Sequence, residues 1–108
     1  MNSQYKKMLA AMQAKEKRAR RKLREKWFLY ILRCNDNSLY TGIAKDVERR
    51  FKMHSDGKAA RYTRTRRPLR VVYQEPCKNR TAALVRECAV KALPKQKKLV
   101  LIEQFSHI

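Results

Sequence analysis

Glycine is scarce in this chain: two in 108 residues, beside three prolines and three cysteines. So little Gly and Pro excludes a collagen-like or low-complexity polymer. Cys34, Cys77 and Cys88 form no Cys-x-x-Cys pair and are odd in number, which excludes zinc-cluster spacing and a disulfide framework. Each is expected as a small buried apolar residue. No apolar run approaches the roughly 18 residues of a membrane-crossing helix, and no apolar stretch follows the basic start as a signal peptide would require. The expected location is therefore intracellular and cytoplasmic, or nucleoid-associated if the source is bacterial. Acidic residues are scarce too, with 9 Asp/Glu against 28 Lys/Arg and a net charge of +19.

That excess is what the chain has most of. A small body carrying it attracts polyanions. The partner it points to is nucleic acid, because Lys and Arg release counterions when they meet phosphates. An anionic membrane surface or plain solubility are the bland alternatives, and no membrane partner is expected. The length allows one small domain.

Composition changes near residue 26. Residues 1–26 hold ten Lys/Arg and two Glu among helix-forming Ala, Met, Leu and Gln, with no Gly or Pro. Met8, Leu9, Met12 and Leu23 make only a thin apolar stripe. This reads as a solvated basic helix, either an arm along phosphates or a tail. From Trp27 to 108 a domain is expected. Trp27-Phe28-Leu29-Tyr30-Ile31-Leu32 reads as a buried strand, Asn35-Asp36-Asn37 as a turn, and Ser38-Leu39-Tyr40-Thr41-Gly42-Ile43 as the returning strand. A three-residue loop pairs Leu32 with Tyr40 and sets Tyr30 and Tyr40 on one face; an even loop would set them apart. Asn37 suits the left-handed third position of such a loop.

Asp46 is the expected N-cap of a helix to Ser55 that ends at Gly57. Arg50 and His54 share one of its faces, beside the Val47/Phe51 stripe. Residues 58–70 read as a basic loop with six cations and Tyr62 inside it. Leu69 to Glu75 reads as a third strand ended by Pro76. Asn79 caps a helix from Arg80 to about Leu93, and Pro94 opens another from Lys95 to Phe105. The order is β-β-α-β-α-α behind a basic N-terminal helix, an α/β (α+β) arrangement on a three-stranded sheet.

These residues resemble the GIY-YIG nucleases. The family's two tripeptides match Phe28-Leu29-Tyr30, where Phe-Leu stands for Gly-Ile, and Tyr40-Thr41-Gly42. Ala44 to Arg50, His54, Tyr62-Thr63-Arg64 and Ala82 to Glu87 also fit, and the resemblance spans about residues 27–103. It is closest to the small stand-alone UPF0213-type (YhbQ-like) members. It implies the GIY-YIG endonuclease fold and a metal-dependent endonuclease in DNA repair or processing, with DNA placed ahead of RNA. The alternative is a non-catalytic basic module binding DNA, RNA or the ribosome. Oligomeric state is not readable.

The resemblance also implies the roles. Glu87 matches the glutamate that holds one Mg²⁺ or Mn²⁺; the bland reading pairs it with Lys91 at i,i+4. Tyr40 matches the tyrosine that orients or deprotonates the attacking water. Its ordinary pKa of about 10 is high for a base, and Arg50 is expected to lower it. Tyr30 matches the second tyrosine, with a half-buried strand tyrosine as the bland reading. Arg50 matches the essential arginine, whose planar fork suits phosphate. His54 could share the base role near neutrality or simply close a helix end. Lys45, Arg61, Arg64, Arg66 and Arg67 are expected on phosphates away from the cut, and Tyr62 on a base or pinning its loop. Arg49 is assigned to backbone contact or solvent.

Overall fold

The computed structural model of the chain describes residues 3–106, and for residues 19–25 the backbone alone. The order is α1 Ser3–Glu25, β1 Trp27–Cys34, β2 Leu39–Ala44, α2 Val47–Ser55, α3 Arg61–Thr65, β3 Pro68–Cys77, α4 Arg80–Lys91 and α5 Lys95–Ser106. The three strands form one antiparallel sheet in the order β2-β1-β3. Mixed α/β architecture on a small sheet is as expected. Along α1, Tyr5, Met8, Leu9 and Met12 are exposed, which agrees with a solvated helix; Leu23 lies outside the side chains described.

The hairpin closes with three residues. Cys34 N donates to Ser38 O at 2.9 Å, and Asn37 sits at φ 65. Leu32 then pairs with Tyr40 and Tyr30 with Gly42. Because side chains alternate along a strand, β1 divides its residues between two cores. Leu29 and Ile31 pack with Val72, Tyr73, Ala83, Val90 and Ile102 on the side covered by α4 and α5. Tyr30 and Leu32 pack with Ala44 and Val47 on the side of α2.

Helix ends follow their caps. The Asp46 carboxylate accepts from Arg49 N at 3.1 Å, and Asn79 Oδ1 accepts from Ala82 N at 2.8 Å; such a cap contributes about 1 kcal/mol. Gly57 leaves α2 at φ 71, a conformation that costs glycine nothing.

Three expectations change. Strand β3 runs on through Pro76 to Cys77, because it is an edge strand, where Pro is tolerated. The basic stretch after residue 57 is not all loop, since Arg61–Thr65 turns into α3. Cys34 and Cys77 are buried as expected, but Cys88 is exposed on α4. Its neighbours Ala83 and Val90 face the core instead.

Candidate active site

The odd hairpin loop puts Tyr30 and Tyr40 on one face, with ring centroids 6.5 Å apart. Gly42, beside Tyr40 on that face, gives Tyr30 its room. A Cβ built on Gly42 would lie 2.6 Å from the Tyr30 hydroxyl oxygen and 2.7 Å from Cζ. The glycine is therefore a requirement of space, not of backbone freedom. Tyr30 is 1% exposed, more deeply placed than a half-buried strand tyrosine.

Helix α2 brings His54 onto this pair. Tyr30 Oη lies 2.8 Å from His54 Nε2, and His54 Nδ1 lies 2.7 Å from Thr63 Oγ1 on α3. The Thr63 hydroxyl donates to Ala60 O at 3.0 Å. A hydroxyl has one proton, so Thr63 Oγ1 must accept from His54 Nδ1–H. The other ring nitrogen of a neutral His54 then carries a lone pair, and the Tyr30 hydroxyl donates to it. The chain of bonds runs in one direction, from Tyr30 through His54 and Thr63 to Ala60.

Burial, then the nearby Arg50 cation, pulls the His54 pKa down from 6.5 to about 4. His54 is thus held as a neutral acceptor near neutral pH. Tyr30 is pushed up to about 12, chiefly by burial and then by Tyr40, while a hydrogen bond from Arg50 pulls the other way. Tyr40 is also raised: burial outweighs the Arg50 cation, and the Glu87 carboxylate adds to the rise. The expected lowering by Arg50 exists, but desolvation is larger.

Arg50 and Glu87 therefore both act on the tyrosines, Arg50 from α2 and Glu87 from α4. The latter helix packs against β1 and β2. Tyr30, Tyr40 and His54 meet directly, and Arg50 and Glu87 lie within electrostatic reach of both tyrosines. Glu87 Oε2 is 3.7 Å from Lys91 Nζ, and the Glu87 side chain is 20% exposed. That is the i,i+4 pair of the bland reading, but at this length it leaves the carboxylate available. Among the described residues no group of three His, Cys, Asp or Glu could cage a metal. One carboxylate is still enough for Mg²⁺, which keeps several waters and takes substrate phosphates. The residues present fit such an ion.

The outer ring is divided. Tyr62 stacks on Tyr40 at 5.9 Å and 28°, so the aromatic of the basic stretch pins α3 to the hairpin. Arg66 lies 4.3 Å over the Tyr62 ring and its Nε donates to Asp36 at 3.1 Å; it is engaged within the fold. Lys45, Arg61, Arg64 and Arg67 are exposed around the cluster or along α3. Sequence reasoning missed Thr63 as the partner of His54, and Asp36 as the partner of Arg66. Neither carries a local signal, since each bond spans elements distant in sequence.

The family model described as the GIY-YIG catalytic domain matches residues 26–99, and the chain belongs to that family. Among its relatives, a UPF0213 protein of Staphylococcus saprophyticus is 48% identical over 80 residues, covering 74% of this chain and 98% of the relative. A UPF0213 protein of Staphylococcus epidermidis is 49% identical over 80 residues with the same coverage. A solution NMR structure of a UPF0213 protein from Bacillus halodurans is 42% identical, covers 73% of this chain and 84% of its own, and superposes with a TM-score of 0.48. No helix among the described residues is long and apolar enough to cross a membrane.

Proposed function

We propose that the chain is a metal-dependent endonuclease that hydrolyses nucleic-acid phosphodiesters, acting on DNA in repair or processing. What supports this reading is the contact of Tyr30, Tyr40 and His54, with Arg50 and Glu87 in electrostatic reach of both tyrosines. Glu87 would hold Mg²⁺ or Mn²⁺. When bound, such an ion neutralises phosphate charge and stabilises the leaving oxygen.

The chain's own groups then divide the work. Tyr40, partly exposed beside Tyr30, orients the attacking water. Arg50, close enough to act on Tyr30 and Tyr40, offers its fork to a phosphate oxygen. Tyr30 keeps its oxygen lone pairs toward Arg50, because its proton is committed to His54. Neutral His54 holds that proton on Tyr30 and fixes the direction of the hydroxyl. Lys45, Arg61, Arg64 and Arg67 draw the strand in.

The test is a nuclease panel over linear and branched DNA and RNA, with and without Mn²⁺. Glu87→Ala should lower cleavage at least about a hundred-fold, with circular dichroism and nucleic-acid affinity nearly unchanged. Full metal-dependent cutting by that variant would overturn the assignment. The raised Tyr40 pKa and the Glu87–Lys91 pair favour the second reading, a basic binding module without catalysis. Steeply salt-dependent binding with no cutting of any substrate would establish it.

A further inference from the structure

Beside the cluster lies a second concave feature, a groove of about 480 Å³ reached across Arg50. Strand β1 starts there with Trp27, β2 ends there with Ala44 and is followed by Lys45, and Arg49 and Arg50 of α2 and Arg80 of α4 also line it. Lys45 Nζ and Arg80 Cζ each lie 5.7 Å from the Trp27 ring centroid. One indole thus steadies two cations from two elements, a placement that costs each less freedom on binding than an unsupported side chain would lose.

Four cations therefore face one groove. Its one acidic lining residue, Asp46, is occupied in capping α2 through Arg49 N. Among the described residues the ion pairs are Arg66–Asp36, Arg86–Glu75 and Lys91–Glu87, and none uses a groove cation. Like charges gathered without counterions repel one another, and an anion relieves that cost. Arg50 belongs to both places, so an anion in the groove lies next to whatever the tyrosine cluster holds.

We infer that the Trp27 groove is a subsite for a phosphodiester neighbouring the one at the tyrosine cluster, held by Lys45, Arg49 and Arg80, so that the strand path leaves the cluster along the edge of β2. This rests on the reading of the chain as acting on nucleic acid. DNA and RNA share the ligand chemistry, and separate titrations distinguish them.

Trp27 is the chain's one tryptophan, so its emission reports on the groove directly. The experiment titrates the Glu87→Ala protein, without divalent metal, with a fluorescein-labelled DNA oligonucleotide of about a dozen nucleotides, and in parallel with the RNA of the same sequence. Affinity is read by anisotropy and the groove by Trp27 emission with unlabelled strands. Binding should change Trp27 emission. Arg80→Gln should weaken binding roughly three- to ten-fold and reduce the salt slope by about one. Lys97→Gln should weaken it less than about two-fold, since exposed Lys97 sits on α5, which packs on β3 at the other edge of the sheet. Equal losses from Arg80→Gln and Lys97→Gln, or binding that leaves Trp27 emission unchanged, would overturn the subsite. The nuclease reading fails separately: a wild-type protein that cuts while Trp27 stays silent keeps the activity and loses the groove. One that never cuts but shows the Arg80 effect keeps the groove alone.

Discussion

Strand β1 sends Leu29 and Ile31 to one face of the sheet and Tyr30 and Leu32 to the other, and the two faces differ in kind. Under α4 and α5 the buried core is mostly apolar, aliphatic apart from Tyr73 and Cys77, with the Tyr73–Glu75–Arg86 hydrogen bonds at its rim. Under α2 and α3 a buried tyrosine, a buried histidine and a buried threonine are joined by hydrogen bonds. The first face is held by non-directional burial, about 1.5–3 kcal/mol for each large apolar side chain. The second is held by bonds that each need the partner's proton in one place. Stability is concentrated on one side of the strand, and chemistry on the other. Glu87 is the exception that joins them, since its helix packs on the aliphatic side while its charge reaches the tyrosines.

Substitutions can break this division. Leu29→Ala, at a fully buried position, should cost about 2–5 kcal/mol of stability in chemical denaturation. Cleavage per folded molecule should stay nearly unchanged. A loss of activity larger than the loss of folded protein would show that the aliphatic face also sets the geometry of the site.

Thr63→Val keeps the shape and removes the acceptor for His54 Nδ1–H. The expected cost is about 1–3 kcal/mol, the penalty for one buried unsatisfied donor. A ring ¹⁵N spectrum should show His54 as the Nδ1–H tautomer in the parent, and a mixture of tautomers in the variant. An unmoved tautomer with unmoved stability would mean that Thr63 does not orient the histidine.

Acid should act on the same face, with an effect of similar size spread over about two pH units or more. The folded His54 pKa of about 4 lies below its ordinary value of 6.5, so the unfolded chain binds the proton more readily. Its contribution is complete above about pH 6.5 and is lost as pH falls from there toward about 4, on the order of 1–3 kcal/mol in all. Tyr30 and Tyr40 lie against the ring with raised pKa values and stay protonated through that window. Denaturation midpoints of the parent and His54→Gln should converge across it; parallel curves would show that His54 is not the group responsible.

Much of the aliphatic face was legible in the sequence because its signals are local. Alternation along β1, the caps at Asp46 and Asn79, and the turn at Asn35-Asp36-Asn37 each need only a few neighbouring residues. The polar face was legible in its members and not in its wiring. Tyr30, Tyr40, Arg50, His54 and Glu87 follow from family resemblance, but the direction of the proton between Tyr30 and His54 depends on Thr63, which reaches the ring only through α3. The pKa values went astray for the same reason: a charge such as Arg50 can be read from spacing, whereas burial depends on the whole fold. Pro76 was misread because a strand's place in the sheet, edge or centre, is a property of topology. The Trp27 groove joins residues as far apart as Trp27 and Arg80, and no short window along the chain contains it.

The three-residue turn, finally, ties the site to the register of one hairpin. Substitutions at Asn35 or Asp36 alter residues outside the ladder, and the strands still meet in the same register. A slip of the pairing by one residue would turn Tyr40 and Gly42 to the other face, parting Tyr40 from Tyr30 and removing the space that Tyr30 occupies. The closure of Cys34 on Ser38, with Asn37 at φ 65, is what holds that register, so the assembly of the site depends on where the strands meet and not on which residues fill the turn.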